Sequence, residues 1–92
     1  MQEETTTIEL KKEIEDKIAK QSFNSINLKE PTLLQVEQFQ DRLRETNNAT
    51  TAARLLIHLV SGISEAALKT MAISDFKKCD KWLNHFFTER VD

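Results

Sequence analysis

Residues 52–71, AARLLIHLVSGISEAALKTM, form the segment that decides the fold of this chain. They contain its densest apolar run and the only glycine of its 92 residues. On a helical wheel the apolar residues between positions 49 and 60 cover an arc of roughly 200°, wider than a surface helix requires. We expect such a helix to be covered on most sides, by its own domain or by a second chain. The arc consists of Ala49, Ala52, Ala53, Leu55, Leu56, Ile57, Leu59 and Val60.

A helix end and a helix start follow each other within this segment. Gly62 tolerates the positive φ that commonly ends a helix. Ser64 offers a side-chain oxygen as an N-cap, and Glu65 is favourable in the first turn of the next helix. The sequence therefore predicts two helices joined by a very short connection.

Composition limits the class of protein. The chain is 39% hydrophobic and 30% charged, with a net charge of −2, as expected of one small soluble domain over residues 1–92. The charge argues against a phosphate-binding face, and no run approaches the roughly 18 apolar residues of a membrane span. A single cysteine suits a reducing cytoplasm. We expect neither a membrane nor a nucleic acid as partner.

The first third of the chain fits two structures. Residues 1–7 are polar and expected to be disordered. Residues 9–20 are rich in helix formers and space Leu10, Ile14 and Ile18 four apart, which favours a helix. Alternating residues near positions 6–10 and 22–28 fit two short strands instead. The predicted fold class is mainly α, a small domain of about four helices, with a short N-terminal β-hairpin over residues 5–29 as the open alternative.

Residues 32–90 are predicted to be helical. Pro31 ends the preceding segment, and Thr32 with Gln35 forms a capping box for a helix that stops near residues 46–48. The last helix should run from about residue 75 to 90, with Ser74 as its N-cap. Its core stripe is expected to contain Phe76, Cys79, Leu83 and Phe87.

Partner binding is predicted on the helices. Trp82 and Phe86 lie together at the edge of the last helix's stripe, where clustered aromatic residues often bind a partner. A run of lysines on the polar face could steer an acidic helical partner. The candidate partner-binding residues are Leu55, Leu59, Trp82, Phe86, Lys78 and Lys81.

No chemical signature accompanies these residues. His58, His85 and Cys79 are too few and too scattered for a zinc site, which needs about four ligands. Cys79 lies on an apolar stripe, where a thiol is usually inert. No glycine-rich loop could hold a phosphate. We predict no catalytic residue, no metal and no cofactor, so the protein is not expected to be an enzyme.

A helix–turn–helix DNA-binding regulator is the alternative function. Residues 56–71 have the turn glycine and apolar spacing of that motif. A recognition helix over residues 64–71 would offer only Lys69 to DNA. The packing of an ordinary helical hairpin explains the spacing equally well.

Three segments in order resemble a known family. They are INLKEPT at residues 26–32, LLIHLVSGISEAAL at residues 55–68 and MAISDF at residues 71–76. Together they are similar to the tail assembly chaperones of long-tailed phages, the family related to the E protein of phage P2 and gene product 41 of phage Mu. The resemblance covers residues 5–87. It implies an N-terminal β-hairpin with strands near 6–10 and 23–28. Residues 13–20 lack the Gly or Asn-Gly turn that hairpins prefer, which leaves a helical turn between the strands open.

The resemblance also implies a function. Such chaperones coat the helical tape measure protein in the bacterial host cytoplasm, keep it soluble before the tail tube polymerises, and are absent from the mature virion. In many of these phages a frameshift adds an extension that reaches the tail tube protein, which makes that protein a further expected partner. We also expect self-association through the central and last helices.

Overall fold

The computed structural model describes residues 4–88, which form a β-hairpin followed by four helices. Helix accounts for 55% and strand for 25% of these residues, so the fold is mixed α and β and the prediction of a mainly α domain is wrong. The elements are β1 (Thr5–Asp16), β2 (Gln21–Lys29), α1 (Leu33–Thr46), α2 (Ala49–Ser61), α3 (Glu65–Leu68) and α4 (Ile73–Thr88).

The hairpin extends much further than the sequence suggested. Its first strand includes the helix-forming residues 9–16, because a strand places Ile14 in the core beside Ile26 and Leu28 of β2. Tertiary burial outweighs local helix propensity here. Ile18, which a helix would have aligned with Ile14, lies in the turn and is 79% exposed. Residues 5–7 belong to β1, and residues 1–3 lie outside the described part.

The hairpin turn forms without a glycine. Lys20 adopts the left-handed conformation with φ 56°. The buried Asp16 carboxylate accepts hydrogen bonds from the N–H groups of Ile18 and Ala19, at 3.1 and 3.2 Å. Its second oxygen accepts from Ser64 N–H at 3.0 Å, which ties the turn to the start of α3. The Ser64 bond and those within the turn hold the pKa of Asp16 below its usual range.

An irregularity interrupts the middle of β1. Pairing is regular from Thr5↔Lys29 to Glu9↔Ser25 and resumes only at Ile14↔Phe23. Residues 10–13 therefore stand opposite residue 24 alone, and β2 cannot satisfy all of their main-chain groups. The N–H groups of residues 11 and 12 are instead bonded by a helix.

Asp75 of α4 supplies the missing acceptor. Its carboxylate accepts from Lys11 N–H at 3.0 and 2.9 Å and from Lys12 N–H at 3.2 Å, and it is fully buried. Burial raises the pKa of Asp75, but these N–H groups and the Lys78 ammonium outweigh it and leave the pKa below its usual range. A side chain of α4 thus accepts the main-chain hydrogen bonds that β2 cannot accept from β1.

Several predicted helix boundaries are confirmed. Gln35 N–H donates to Thr32 Oγ1 at 3.2 Å and Thr32 N–H donates to Gln35 Oε1 at 3.0 Å, which is the capping box. Gly62 ends α2 with φ 81°, and Ser64 Oγ caps α3. The predicted N-cap of the last helix is wrong, because α4 begins at Ile73 and contains Ser74. Its predicted end at residue 90 lies outside the described residues.

The core surrounds α2. The helix buries residues against β2, α3 and α4, so its wide apolar arc is covered largely by its own domain. The buried residues of α2 are Ala52, Ala53, Leu56, Ile57 and Val60.

α1 is peripheral and buries no residue completely. Arg42 holds it to α3 through two bonds to the Glu65 carboxylate, at 3.1 and 3.4 Å, and Arg54 of α2 donates to the same carboxylate at 3.1 Å. Burial raises the pKa of Glu65, but the two guanidinium groups outweigh it and leave the pKa below its usual range. One carboxylate therefore links three helices.

Candidate partner-binding groove

An open groove lies between the start of α1 and the end of α4. Its volume is about 420 Å³, and five of its seven lining residues are apolar, with Glu30 and Gln40 as the polar ones. Nothing in the described residues 4–88 fills it. The lining residues are Glu30, Pro31, Leu33, Val36, Gln40, Phe86 and Phe87.

On the α1 side of the groove, hydrogen bonds fix the first turn of the helix and leave Leu33 exposed. Leu33 is 75% exposed in the first turn of α1, although it is a large apolar residue. The capping box fixes that turn, and the Gln35 side-chain amide donates to the Leu59 carbonyl oxygen at 3.3 Å. These polar contacts anchor α1 to α2 while leaving Leu33 free to contact a partner.

The α4 wall of the groove is aromatic. Phe87 stacks on Phe39 of α1, with ring centroids 5.4 Å apart and an interplanar angle of 27°. Phe86 meets Trp82 edge to face, with centroids 5.0 Å apart. Such pairs are favourable beyond their buried area and fix the ring positions. The aromatic side of the groove is therefore held in place by contacts within the protein itself.

The predicted site residues fall into two groups. Phe86 lines the groove, and Trp82 is beside it but packs against the buried core. Leu55 and Leu59 are half-buried on α2, and neither lines the groove. The structure thus brings together only the aromatic pair, and partner binding by any of these residues stays a prediction.

The predicted lysines have different environments. Lys78 Nζ lies 3.7 Å from Asp75 Oδ1 and donates to the Glu9 carbonyl oxygen at 3.4 Å, so it helps to hold α4 on β1. Lys81 is exposed on α4. Neither lines the groove.

Leu33 is the groove residue that the sequence analysis did not single out. Helical periodicity places it on one side of α1 with Val36 and Phe39. The following residue is Leu34, which is 64% exposed. Neighbouring residues of a helix point about 100° apart, so two successive leucines cannot both face one narrow contact. That doublet is the signal that could have marked an apolar surface at the start of α1.

The groups that carry reactive chemistry in other proteins have structural roles here. Burial, together with the negative charge of Asp75, raises the pKa of the Cys79 thiol to about 11. His58 Nδ1 lies 2.7 Å from the Ile63 carbonyl oxygen. Between residues 4 and 88, no group of three or more His, Cys, Asp or Glu residues is placed to hold a metal ion. In the same range, no helix is long and apolar enough to cross a membrane.

The geometry gives the DNA-binding alternative no support. α3, its would-be recognition helix, has only 4 residues. Ala67 and Leu68 are buried, and Glu65 is engaged by two arginines. A recognition helix must instead project several side chains into the major groove.

The family comparison agrees with the resemblance. The family model described as phage tail assembly chaperone proteins, E, or 41 or 14, matches residues 7–88. The chain therefore belongs to this family of phage tail assembly chaperones, and the resemblance of its three segments is confirmed. No curated protein and no solved structure matches it.

Proposed function

We propose that this protein is a non-enzymatic chaperone that binds the helical tape measure protein of its phage and keeps it soluble during tail assembly. Family membership supports the chaperone role. The observation that supports a helical partner is the groove, in which an exposed leucine faces two phenylalanines. Grooves of this kind accept the apolar face of an amphipathic helix.

The size of the groove suits a few side chains of such a helix. An apolar cavity of roughly 150 Å³ holds a benzene molecule, so the groove, with a volume of about 420 Å³, has room for two or more apolar side chains. Covering one leucine contributes about 1.5–3 kcal/mol, roughly 10- to 150-fold in the dissociation constant. Losing Leu33 should therefore weaken binding measurably without unfolding the domain.

The family resemblance extends the proposal. The protein acts in the cytoplasm of the bacterial host and does not remain in the mature virion. It self-associates, and a longer frameshifted form reaches the tail tube protein. Mass spectrometry of purified virions tests its absence from the particle.

Co-expression with the tape measure protein of the same phage tests the central claim. The measurements are the soluble fraction of the tape measure protein, its recovery with tagged chaperone, and the dissociation constant of the purified complex. Leu33→Ser is the groove variant. Leu34→Ser is its matched control, because the two leucines are adjacent and both exposed, but only Leu33 lines the groove.

The expected result is a soluble complex with wild type and with Leu34→Ser, and a dissociation constant at least tenfold higher for Leu33→Ser. Phe86→Ser should weaken binding from the opposite wall. Failure of wild type to form any complex would overturn the proposed function. Equal effects of the two leucine variants would remove the groove as the site. Salt-sensitive binding of wild type to duplex DNA would favour the alternative function.

A further inference from the structure

The two edges of the hairpin are protected to different degrees. α3 and α4 pack on β1, Lys78 donates to the Glu9 carbonyl oxygen, and Asp75 accepts from residues 11 and 12. α2 packs against β2. Within residues 4–88, no hydrogen bond from outside the hairpin reaches the main chain of β2. The outer edge of β2 is therefore open along its length, whereas the outer edge of β1 is covered from Glu9 to Lys12.

The register shows which groups that edge presents. Glu30 N–H donates to the Glu4 carbonyl oxygen at 2.9 Å. In an antiparallel pair, hydrogen-bonded and non-hydrogen-bonded positions alternate, so Leu28 and Ile26 bond to β1. The residues that alternate with these two along β2 occupy the non-hydrogen-bonded positions, so their N–H and C=O groups point away from β1. Those outward residues are Ser25, Asn27 and Lys29.

Residues 21–28 of β2 lack the usual protection of an edge strand, and the one charged residue of the strand is Lys29 at its end. Natural edges carry charges, prolines or bulges that prevent pairing with another chain. Residues 21–28, QSFNSINL, contain none of the charged residues that make up 30% of the chain, and no proline or glycine. The irregularity in the sheet is on β1 rather than β2. β1 also carries charges along its exposed face, at Glu9, Lys11, Lys12, Glu13 and Glu15.

We propose that this edge pairs with β2 of a second copy, antiparallel about a two-fold axis at Asn27. Asn27 then faces its own copy and Ser25 faces Lys29, which gives about six main-chain hydrogen bonds, two for each bonded pair. No like charges stand opposite each other. The two hairpins become one four-stranded sheet.

A second copy is the occupant that the observations favour. A two-fold contact requires a surface complementary to itself. β2 meets that requirement because it has outward donors and acceptors and because its one charged residue, Lys29, faces the uncharged Ser25 of the second copy. A two-stranded sheet is also smaller than most sheets in globular proteins. This pairing gives the self-association proposed above a surface on the hairpin, in place of the central and last helices expected from the sequence. It does not depend on tape measure binding. The β2 edge and the groove are formed by different residues.

Matched proline variants test the proposal, with light scattering after size exclusion and analytical ultracentrifugation as readouts. Asn27→Pro removes an outward N–H from β2, and Thr7→Pro removes the outward N–H directly opposite on β1. Both lose the hydrogen bond from Thr7 Oγ1 to Asn27 Oδ1, so this loss is matched between the two variants. Asn27→Lys, compared with Thr7→Lys, places like charges at the two-fold axis without a proline.

Wild type and both Thr7 variants are expected to be dimers, while both Asn27 variants should dissociate with at least a tenfold higher dissociation constant and unchanged circular dichroism. If Asn27→Pro does not fold, the comparison of Asn27→Lys with Thr7→Lys tests the proposal alone. Three results would overturn the proposal: a monomeric wild type at millimolar concentration, Asn27 variants that remain dimers, or equal dissociation of the Thr7 and Asn27 variants. A monomer whose β2 edge is bound by a strand of another protein also overturns it. Since Leu33→Ser leaves the β2 edge intact, failure of the pairing proposal can be distinguished from failure of the proposed tape measure binding in the groove.

Discussion

Replacing Asp75 with asparagine is expected to lower the free energy of unfolding by about 2–4 kcal/mol. The carboxylate is fully buried and accepts from two main-chain N–H groups, those of Lys11 and Lys12. A hydrogen bond to a charged group contributes about 1.5–3 kcal/mol. Asparagine keeps one acceptor oxygen but turns an NH₂ group toward donors, so about one such bond is lost and a buried N–H is left without an acceptor.

The pH dependence of this effect has a defined sign. The pKa of Asp75 in the folded protein lies below its ordinary value of 3.8. The stabilisation is therefore fully present above that value and is lost as the pH falls through the lower pKa of the folded state. The stability difference between wild type and Asp75→Asn should stay constant at neutral and mildly acidic pH and narrow only in strong acid.

Urea unfolding followed by circular dichroism at several pH values measures the loss of unfolding free energy and its dependence on pH. Asp80→Asn is the matched control, since it makes the same change on the same helix at a partly exposed position. The control should change stability by less than about 0.5 kcal/mol. If Asp75→Asn is as stable as its control, or if its deficit does not narrow in acid, the assigned role of the carboxylate is wrong.

Two further predictions concern the central helix and the thiol. Gly62→Ala should cost about 1–2 kcal/mol in thermal or urea unfolding, because φ is 81° while a new Cβ would meet nothing within 4 Å. Gly62→Asn should cost less, and an equal cost would contradict this conformational explanation. Cys79 should not react with a thiol reagent at pH 8 in the native protein but should react once the protein is unfolded, because it is fully buried with a pKa of about 11. Rapid labelling of the native protein would show that α4 opens readily.

Features with a local cause could be predicted from the sequence. The capping box of Thr32 and Gln35 needs only residues within one turn, and so does the Gly62–Ser64 connection between α2 and α3. The core stripe of α4 is also correct at Cys79 and Leu83. In each of these features, the interacting residues lie within a few positions of one another in the sequence.

The features that were missed depend on distant partners. Residues 9–16 form a strand because Ile14 meets a core built by other elements, and the turn holds because Asp16 also bonds Ser64. The role of Asp75 could not be predicted either, because its partners are the main-chain groups of the distant strand β1. The exposure of Leu33 could not be predicted, because helical periodicity shows which residues share a face but not what covers that face.

The bond between Asp75 and Lys11 has a consequence for how the chain acquires its structure. It joins residues 64 positions apart. Closing a loop of that length costs about 4 kcal/mol of chain entropy, so such a contact forms after the local helices and turns. During synthesis the ribosome releases both strands long before α4. We therefore expect the irregular middle of β1 to be completed late, when the last helix packs against it.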